Sequence, residues 1–243
     1  MISLVSSGSV LDRFAFDLDA QGPSLGTPDL SGASPDELAT ARLAWASRVI
    51  DEYRSVVVFG ELFGRLAAIE APYVTLAAVH RLIGDELRHA RMCLQIAGWF
   101  GPIDGLEIDL RDLGLPPTDA PHAVRALEII ARELMVAEGE SVRTLAAYRN
   151  ATSDPACRDA LSSILRDEAR HAASGPALFD AVRAHAERGP HRGAVARRLG
   201  SLERTMDEDR AHIRAVHAEA ARHDGAARYG AALRADEAPC MRG

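Results

Sequence analysis

Aromatic side chains are scarce in this chain: Phe, Trp and Tyr make up 5% of its 243 residues, although 47% are hydrophobic. An interior short of rings has to be filled with aliphatic side chains, and Ala, Leu and Arg dominate the long stretches. That composition suits packed helices better than sheet. Cysteine is scarcer still. Cys93, Cys157 and Cys240 stand apart with no C-x-x-C pair, which argues against a zinc ribbon or a rubredoxin-type iron and leaves thiols suited to a reducing compartment. There is no basic block either. The formal charge of −7 is spread over mixed acidic and basic runs, so nucleic acid is not an expected partner. No stretch approaches the roughly 20 uninterrupted apolar residues of a membrane span, and residues 1–10 lack the basic and long apolar regions of a secretory signal. The expectation is a cytoplasmic protein with no membrane partner.

Helix punctuation then divides the chain. Residues 1–33, rich in Ser, Gly, Asp and Pro, read as a loosely ordered arm. At Ser34-Pro35 with Glu37 a capping residue, a first-turn proline and the acid of a capping box coincide, so a first helix runs from 34 to about 70. Ala71-Pro72 breaks it and starts a second, from 72 to about 100. The Gly-, Pro- and Asp-rich stretch to 120 reads as a long crossover, followed by a third helix over 121–150. Asp154-Pro155 caps and starts a fourth, to about 187. Residues 34–188 thus form a bundle, and 189–243 a C-terminal appendage with a charged fifth helix from about 192 to 223 and a frayed tail.

The two halves of the bundle echo each other. Asp85-Glu86-Leu87-Arg88-His89-Ala90 on the second helix recurs as Asp167-Glu168-Ala169-Arg170-His171-Ala172 on the fourth. Residues three apart lie on nearly one side of a helix, so each Glu-x-x-His can present an oxygen and a nitrogen to one metal ion. Both glutamates fall in the middle of an apolar stripe: Glu86 with Val79, Leu82, Ile83, Cys93 and Ala97, and Glu168 with Leu161, Ile164, Leu165 and Phe179. A carboxylate buried there without a partner costs several kcal/mol or protonates, and a bound cation is the natural compensation.

The same test applied to the other two helices selects Glu52, which lies along Trp45, Val49, Val56, Phe59 and Phe63, and passes over Glu61. On the third helix Glu138 shares the stripe of Leu127, Ala131, Leu134, Met135, Val142 and Leu145, while Glu133 and Glu140 point away from its centre. A π-bulge would rotate that register and bring Glu140 inward instead. Glu52 and Glu86 stand 34 residues apart and Glu138 and Glu168 stand 30 apart, which sets each pair at similar heights on antiparallel neighbours.

Glu, Glu-x-x-His, Glu, Glu-x-x-His on four successive helices resembles the ferritin-like di-iron carboxylate superfamily, to which rubrerythrins and ribonucleotide reductase small subunits belong. The resemblance spans about residues 35–187. It implies an all-α, ferritin-like four-helix bundle with one long crossover between two helical hairpins, the C-terminal helix being additional. It also implies two iron ions, with manganese as the alternative, held by Glu52, Glu86, His89, Glu138, Glu168 and His171 as metal-ligating and catalytic residues. Asp85 and Asp167 would orient the histidines, as the Asp before the last Glu does in the reductase subunits. The implied activity is activation of O2 to oxidise a small organic substrate in a dry apolar cavity. The electrons would come from an external donor, a redox partner protein, since the chain carries no carrier of its own, and a homodimer is compatible with it. Ferroxidase or iron-handling activity, and a non-enzymatic scaffold with a structural metal site, are the alternatives. A rubrerythrin's cysteine-rich module is absent, and Ile164 stands where the para-aminobenzoate N-oxygenase carries an extra histidine. His80 and His122 read as exposed or capping residues, His212, His217 and His223 as surface, and Trp45, Phe59 and Phe63 as plain core.

Overall fold

The structure is a computed structural model that describes the backbone of residues 2–3, 25–103, 107–108, 110–220 and 227–230, and the side chains of 25–103, 112–216 and 227–230. The described fold is a helical bundle. Its long elements are α1 (Pro35–Ala68), α2 (Tyr73–Trp99), a continuous rod made of α4 (His122–Ile129), a π-helical segment (Ile130–Ala137) and α5 (Glu138–Ala151), then α6 (Pro155–Glu187) and α7 (Arg192–Ala220). A one-turn helix α3 (Leu110–Leu113) lies in the connection before α4, and β1 (Ile2–Ser3) pairs antiparallel with β2 (Glu107–Ile108). Among the described residues no helix is long and apolar enough to cross a membrane.

The punctuation works through identifiable hydrogen bonds. Ser34 and Asp154 accept from the backbone N–H groups of Glu37 and Cys157, and Pro35 and Pro155 occupy the first helical position. At the end of α1, Glu70 adopts a left-handed φ of 55°. Its N–H reaches Ala67 O and that of Ala71 reaches Leu66 O, which closes the helix as a Schellman motif. Of the expected arm, residues 25–33 are described: Leu25 and Leu30 pack on the core, and the Asp29 N–H donates to Asp154. The rest, apart from β1, lies outside the described residues, as do Cys240 and the side chains of His217 and His223.

Packing shows how the helices run. Residues 41–49 of α1 share a core with 90–100 of α2, while 58–66 share another with 79–82, so the two are antiparallel. The rod and α6 are antiparallel by the same reasoning, Leu145 packing with the Cys157–Ile164 end and Leu127 with the Leu178–Ala186 end. Cross-links between the hairpins, Arg54–Glu133 with Glu61–Arg125 and His89–Asp167 with Asp85–His171, make α1 antiparallel to the rod and α2 antiparallel to α6. The two apolar cores fill the two ends of the bundle, around Trp45, Ile96 and Leu161 at one end and Phe59, Leu66 and Leu127 at the other. A polar layer lies between them.

The third rod differs from expectation over one stretch. A π segment does precede Glu138, as a rotated register requires, yet Glu138 stays inside. The widened turns instead rotate Ala131 out of the inner stripe. With Val136 it packs against Leu202 and Met206 of α7, while Leu134 keeps to the bundle interior. Gly175 of α6 makes room for this wider rod, since a Cβ there would lie 2.9 Å from Met135 Cγ.

Candidate metal centre

The polar layer is built from the middles of four rods. Glu52 comes from α1, Asp85, Glu86, Arg88 and His89 from α2, Glu138 from the start of α5, and Asp167, Glu168, Arg170 and His171 from α6. Glu86, His89, Glu168 and His171 are at most 3% exposed, and Glu138 is 6% exposed. Their ligand atoms fall into two overlapping groups, each within 4.8 Å: Glu52, Glu86, His89 and Glu168 in one, and Glu86, Glu138, Glu168 and His171 in the other. Glu86 and Glu168 belong to both. The structure therefore brings together the four glutamates selected by the stripe test and the two histidines of the Glu-x-x-His motifs. Of the alternatives, it places Glu133 against Arg54 and Glu140 against Arg214 of α7, outside the cluster.

Each shared carboxylate reaches both histidines. His89 Nδ1 lies 3.5 Å from Glu86 Oε2 and 3.2 Å from Glu168 Oε1, whereas His171 Nδ1 lies 3.0 Å from Glu86 Oε1 and 3.5 Å from Glu168 Oε2. Glu52 joins the His89 side at 3.5 Å and Glu138 the His171 side at 4.0 Å. The two groups, which share Glu86 and Glu168, could each hold a metal ion.

The far side of each ring is held by the opposite hairpin. His89 Nε2 lies 3.2 Å from Asp167 Oδ2, and His171 Nε2 lies 3.3 Å from Asp85 Oδ2. Arg88 donates to both aspartates, at 2.7 and 2.8 Å, and Arg170 donates to Asp167. Ionised aspartates only accept, so each Nε2 carries a proton and donates it, which turns each Nδ1 toward the centre, where a metal ion would take the place of its proton. The sequence pattern points to the aspartates as orienters. It does not show that each serves the histidine of the other half, nor that the motif's arginines neutralise them rather than extend into solvent.

Of the five buried side-chain polar atoms without a hydrogen-bond partner among the described residues, four lie at the centre. Glu86 Oε1, His89 Nδ1, Glu168 Oε2 and His171 Nδ1 are buried and make no hydrogen bond. Oxygen and nitrogen lone pairs about 3 Å apart repel unless a cation or proton lies between them. Ligands about 2.1 Å from one cation sit about 3.0 to 3.4 Å from each other, close to the separations found. Electrostatics point the same way. Burial and the neighbouring Glu86 and Glu168 push the Glu52 carboxyl well above its usual range, despite His89, and burial with Glu168 does the same to Glu138. Burial opposes charge on His171, yet Asp85, Glu168 and Glu86 hold it protonated up to about 11, and His89 is raised likewise by Asp167, Glu168, Glu52 and Glu86. The site demands positive charge. Two divalent ions would balance its four glutamates, as Arg88 and Arg170 balance the two aspartates.

A cavity of about 450 Å³ opens onto these ligands between α1, α5 and α7. Glu52, Glu86, Glu138 and Glu168 form its floor, with Arg48, Asp51, Arg54, Arg132, Tyr148, Asp209 and His212 among its walls. The expectation of an apolar cavity is thus corrected. The apolar residues of the rods are consumed by the two end cores, and the mid-bundle opening inherits the polar flank of α1 and the charged face of α7. His212, exposed as expected, is also part of the wall. Trp45 and Phe59 are core residues.

Neither family models, curated proteins nor solved structures provide a significant match to this chain, so its functional reading rests on the residues themselves.

Proposed function

We propose that the protein is a ferritin-like di-iron protein, an oxidase or oxygenase that uses O2 to oxidise a small organic substrate, with manganese as the alternative metal. The observation that carries this reading is the pair of ligand groups sharing Glu86 and Glu168, four of whose buried atoms face one another without hydrogen bonds. Four hard carboxylates with two imidazoles suit iron or manganese and do not suit copper(I). The helix directions support the ferritin-like topology: two antiparallel hairpins, with Phe100 at the Trp45 end of the bundle and Ala123 at the Leu66 end, as a single crossover requires.

Glu52 and His89 would hold one ion, Glu138 and His171 the other, with Glu86 and Glu168 between them. Iron held there would supply the redox chemistry for reducing dioxygen. The chain fixes both imidazoles through Asp167 and Asp85, keeps their protons on Nε2, and closes the two ends of the polar layer with apolar cores. An external electron donor completes the cycle. The cavity has the volume of small-molecule sites, about 300 to 1,000 Å³. Iron handling is the less favoured reading, because the cavity acids Glu133 and Asp209 are each held by an arginine, Arg54 and Arg132. They form no open acidic path for ferrous ions.

Metal analysis of the purified protein, with oxygen uptake by its ferrous form in the presence and absence of candidate substrates, tests the proposal. About two metals per chain and substrate-dependent oxygen uptake are expected. A protein that retains no metal overturns it, and assembly into a closed shell with substrate-independent uptake transfers it to iron storage.

A further inference from the structure

The cavity that reaches the metal ligands contains three arginines, and they are not equivalent. Arg54 forms a two-pronged pair with Glu133, at 2.9 and 3.1 Å, and Arg132 forms one with Asp209, at 2.6 and 3.0 Å. Arg48 forms no salt bridge among the described residues. It is 8% exposed, its Nη1 is buried without a hydrogen-bond partner, and its Nη2 donates to the carbonyl of Gly230 at 2.6 Å. Its guanidinium stacks over Trp45 at 4.4 Å and over Tyr148 at 4.8 Å.

Ring faces and a carbonyl fix the plane of this guanidinium without cancelling its charge. A buried cation left in that condition is costly, and an ionised oxygen at the open nitrogen is the usual remedy. Gly230 makes the arrangement possible: at φ 68° it tucks its backbone against Leu161 and Thr152, where a Cβ would lie 2.6 and 2.8 Å from their side chains. Arg48 is also well placed relative to the chemistry. It precedes Glu52 by one turn on the same face of α1, about 6 Å along the axis.

We propose that Arg48 is the carboxylate-binding residue of the substrate site, so that the substrate is a small organic acid held by its carboxylate one helical turn from the metal ligands. This rests on reading the cluster as an oxidising metal centre. A single negative charge matches the single open cation, whereas a phosphate dianion would add charge beside Asp51, Glu133 and Asp209, which line the same cavity.

The test uses the metal-loaded full chain and two matched pairs, benzoate with benzamide and hexanoate with hexanamide, and also inorganic phosphate, titrated calorimetrically. The acids are expected to bind at least about tenfold more tightly than their amides, the margin of one charge-assisted hydrogen bond. Arg48→Met is expected to erase that margin with two metals per chain retained, and Arg48→Lys to keep part of it. Equal affinity of acid and amide, no binding by either acid, or phosphate binding as tightly as the acids overturns the proposal. So does a margin that persists in Arg48→Met and vanishes on chelation, because it reports ligation of the metal. If Arg48→Met does not fold, the wild-type pairs and Arg48→Lys decide. Metal content of the same samples separates the two readings. Acid preference without metals removes the oxidising centre and leaves the subsite, and two metals without acid preference does the reverse.

Discussion

Glu138 and Glu140 are two residues apart, equally buried at 6% and 5% exposure, and opposite in what answers their charge. Glu138 faces the mid-bundle, beside Glu168 and His171, where burial and the neighbouring carboxylate drive it toward its neutral form. Glu140 faces α7, where Arg214 donates to both its oxygens at 2.8 to 3.1 Å. The contrast extends across the molecule. On the periphery Glu61, Glu133 and Glu128 are each matched by arginine, whereas no lysine or arginine pairs with any of the six central ligands among the described residues. Burial of a carboxylate therefore does not identify a ligand; burial without a cationic side chain does.

That contrast breaks most visibly at the shared ligands. Glu86→Ala removes a carboxylate common to both groups, so metal content is expected to fall from about two per chain to well below one, as measured by elemental analysis. Glu138→Gln touches one group alone and should leave about one metal per chain. If Glu138→Gln retained both ions while Glu140→Gln lost one, the assignment of inside and outside on α5 would be reversed.

Much of this was legible in the residues because the relevant physics is local. Capping at Ser34 and Asp154, the proline breaks, and the presence of Glu52, Glu86 and Glu168 on apolar stripes follow from helical periodicity applied one rod at a time. What was not legible involves two rods or a change of period. Asp85 serves His171, and Asp167 serves His89, a choice of partner made by the packing of α2 on α6. Glu140 points away from the stripe, as its register indicates, but nothing in its own helix shows that α7 lies over it and buries it. The π segment is invisible to an analysis that assumes 3.6 residues per turn, and it moved Ala131 from the interior to the α7 interface. The polar cavity was missed for the same reason, since its walls come from α1, α5 and α7 together.

The crossed hydrogen bonds give the next largest effect. Asp167→Asn replaces an acceptor-only carboxylate by an amide that can also donate, so the His89 proton is no longer fixed on Nε2, and changes to such orienting groups typically weaken metal binding about 10- to 100-fold. Because Asp167 acts on the Glu52 side, its loss should add little to Glu52→Gln and should compound with Glu138→Gln, and Asp85→Asn should show the opposite pattern. Titration of the four double variants with a competing chelator measures this. Additivity of Asp167 with Glu52 and of Asp85 with Glu138, each coupled instead to the glutamate of its own hairpin pair, would refute the crossed assignment.

The smallest effect is expected at Glu140. Arg214 has a half-exposed side chain, 52% by accessible area, so water screens the pair and takes over much of its hydrogen bonding when it is broken. Glu140→Gln should therefore shift the chemical-denaturation midpoint only slightly. It should leave both metals bound, since neither ligand group includes Glu140. Loss of a metal ion in Glu140→Gln would instead place Glu140 among the ligands, and the comparison with Glu138 would then lose its basis.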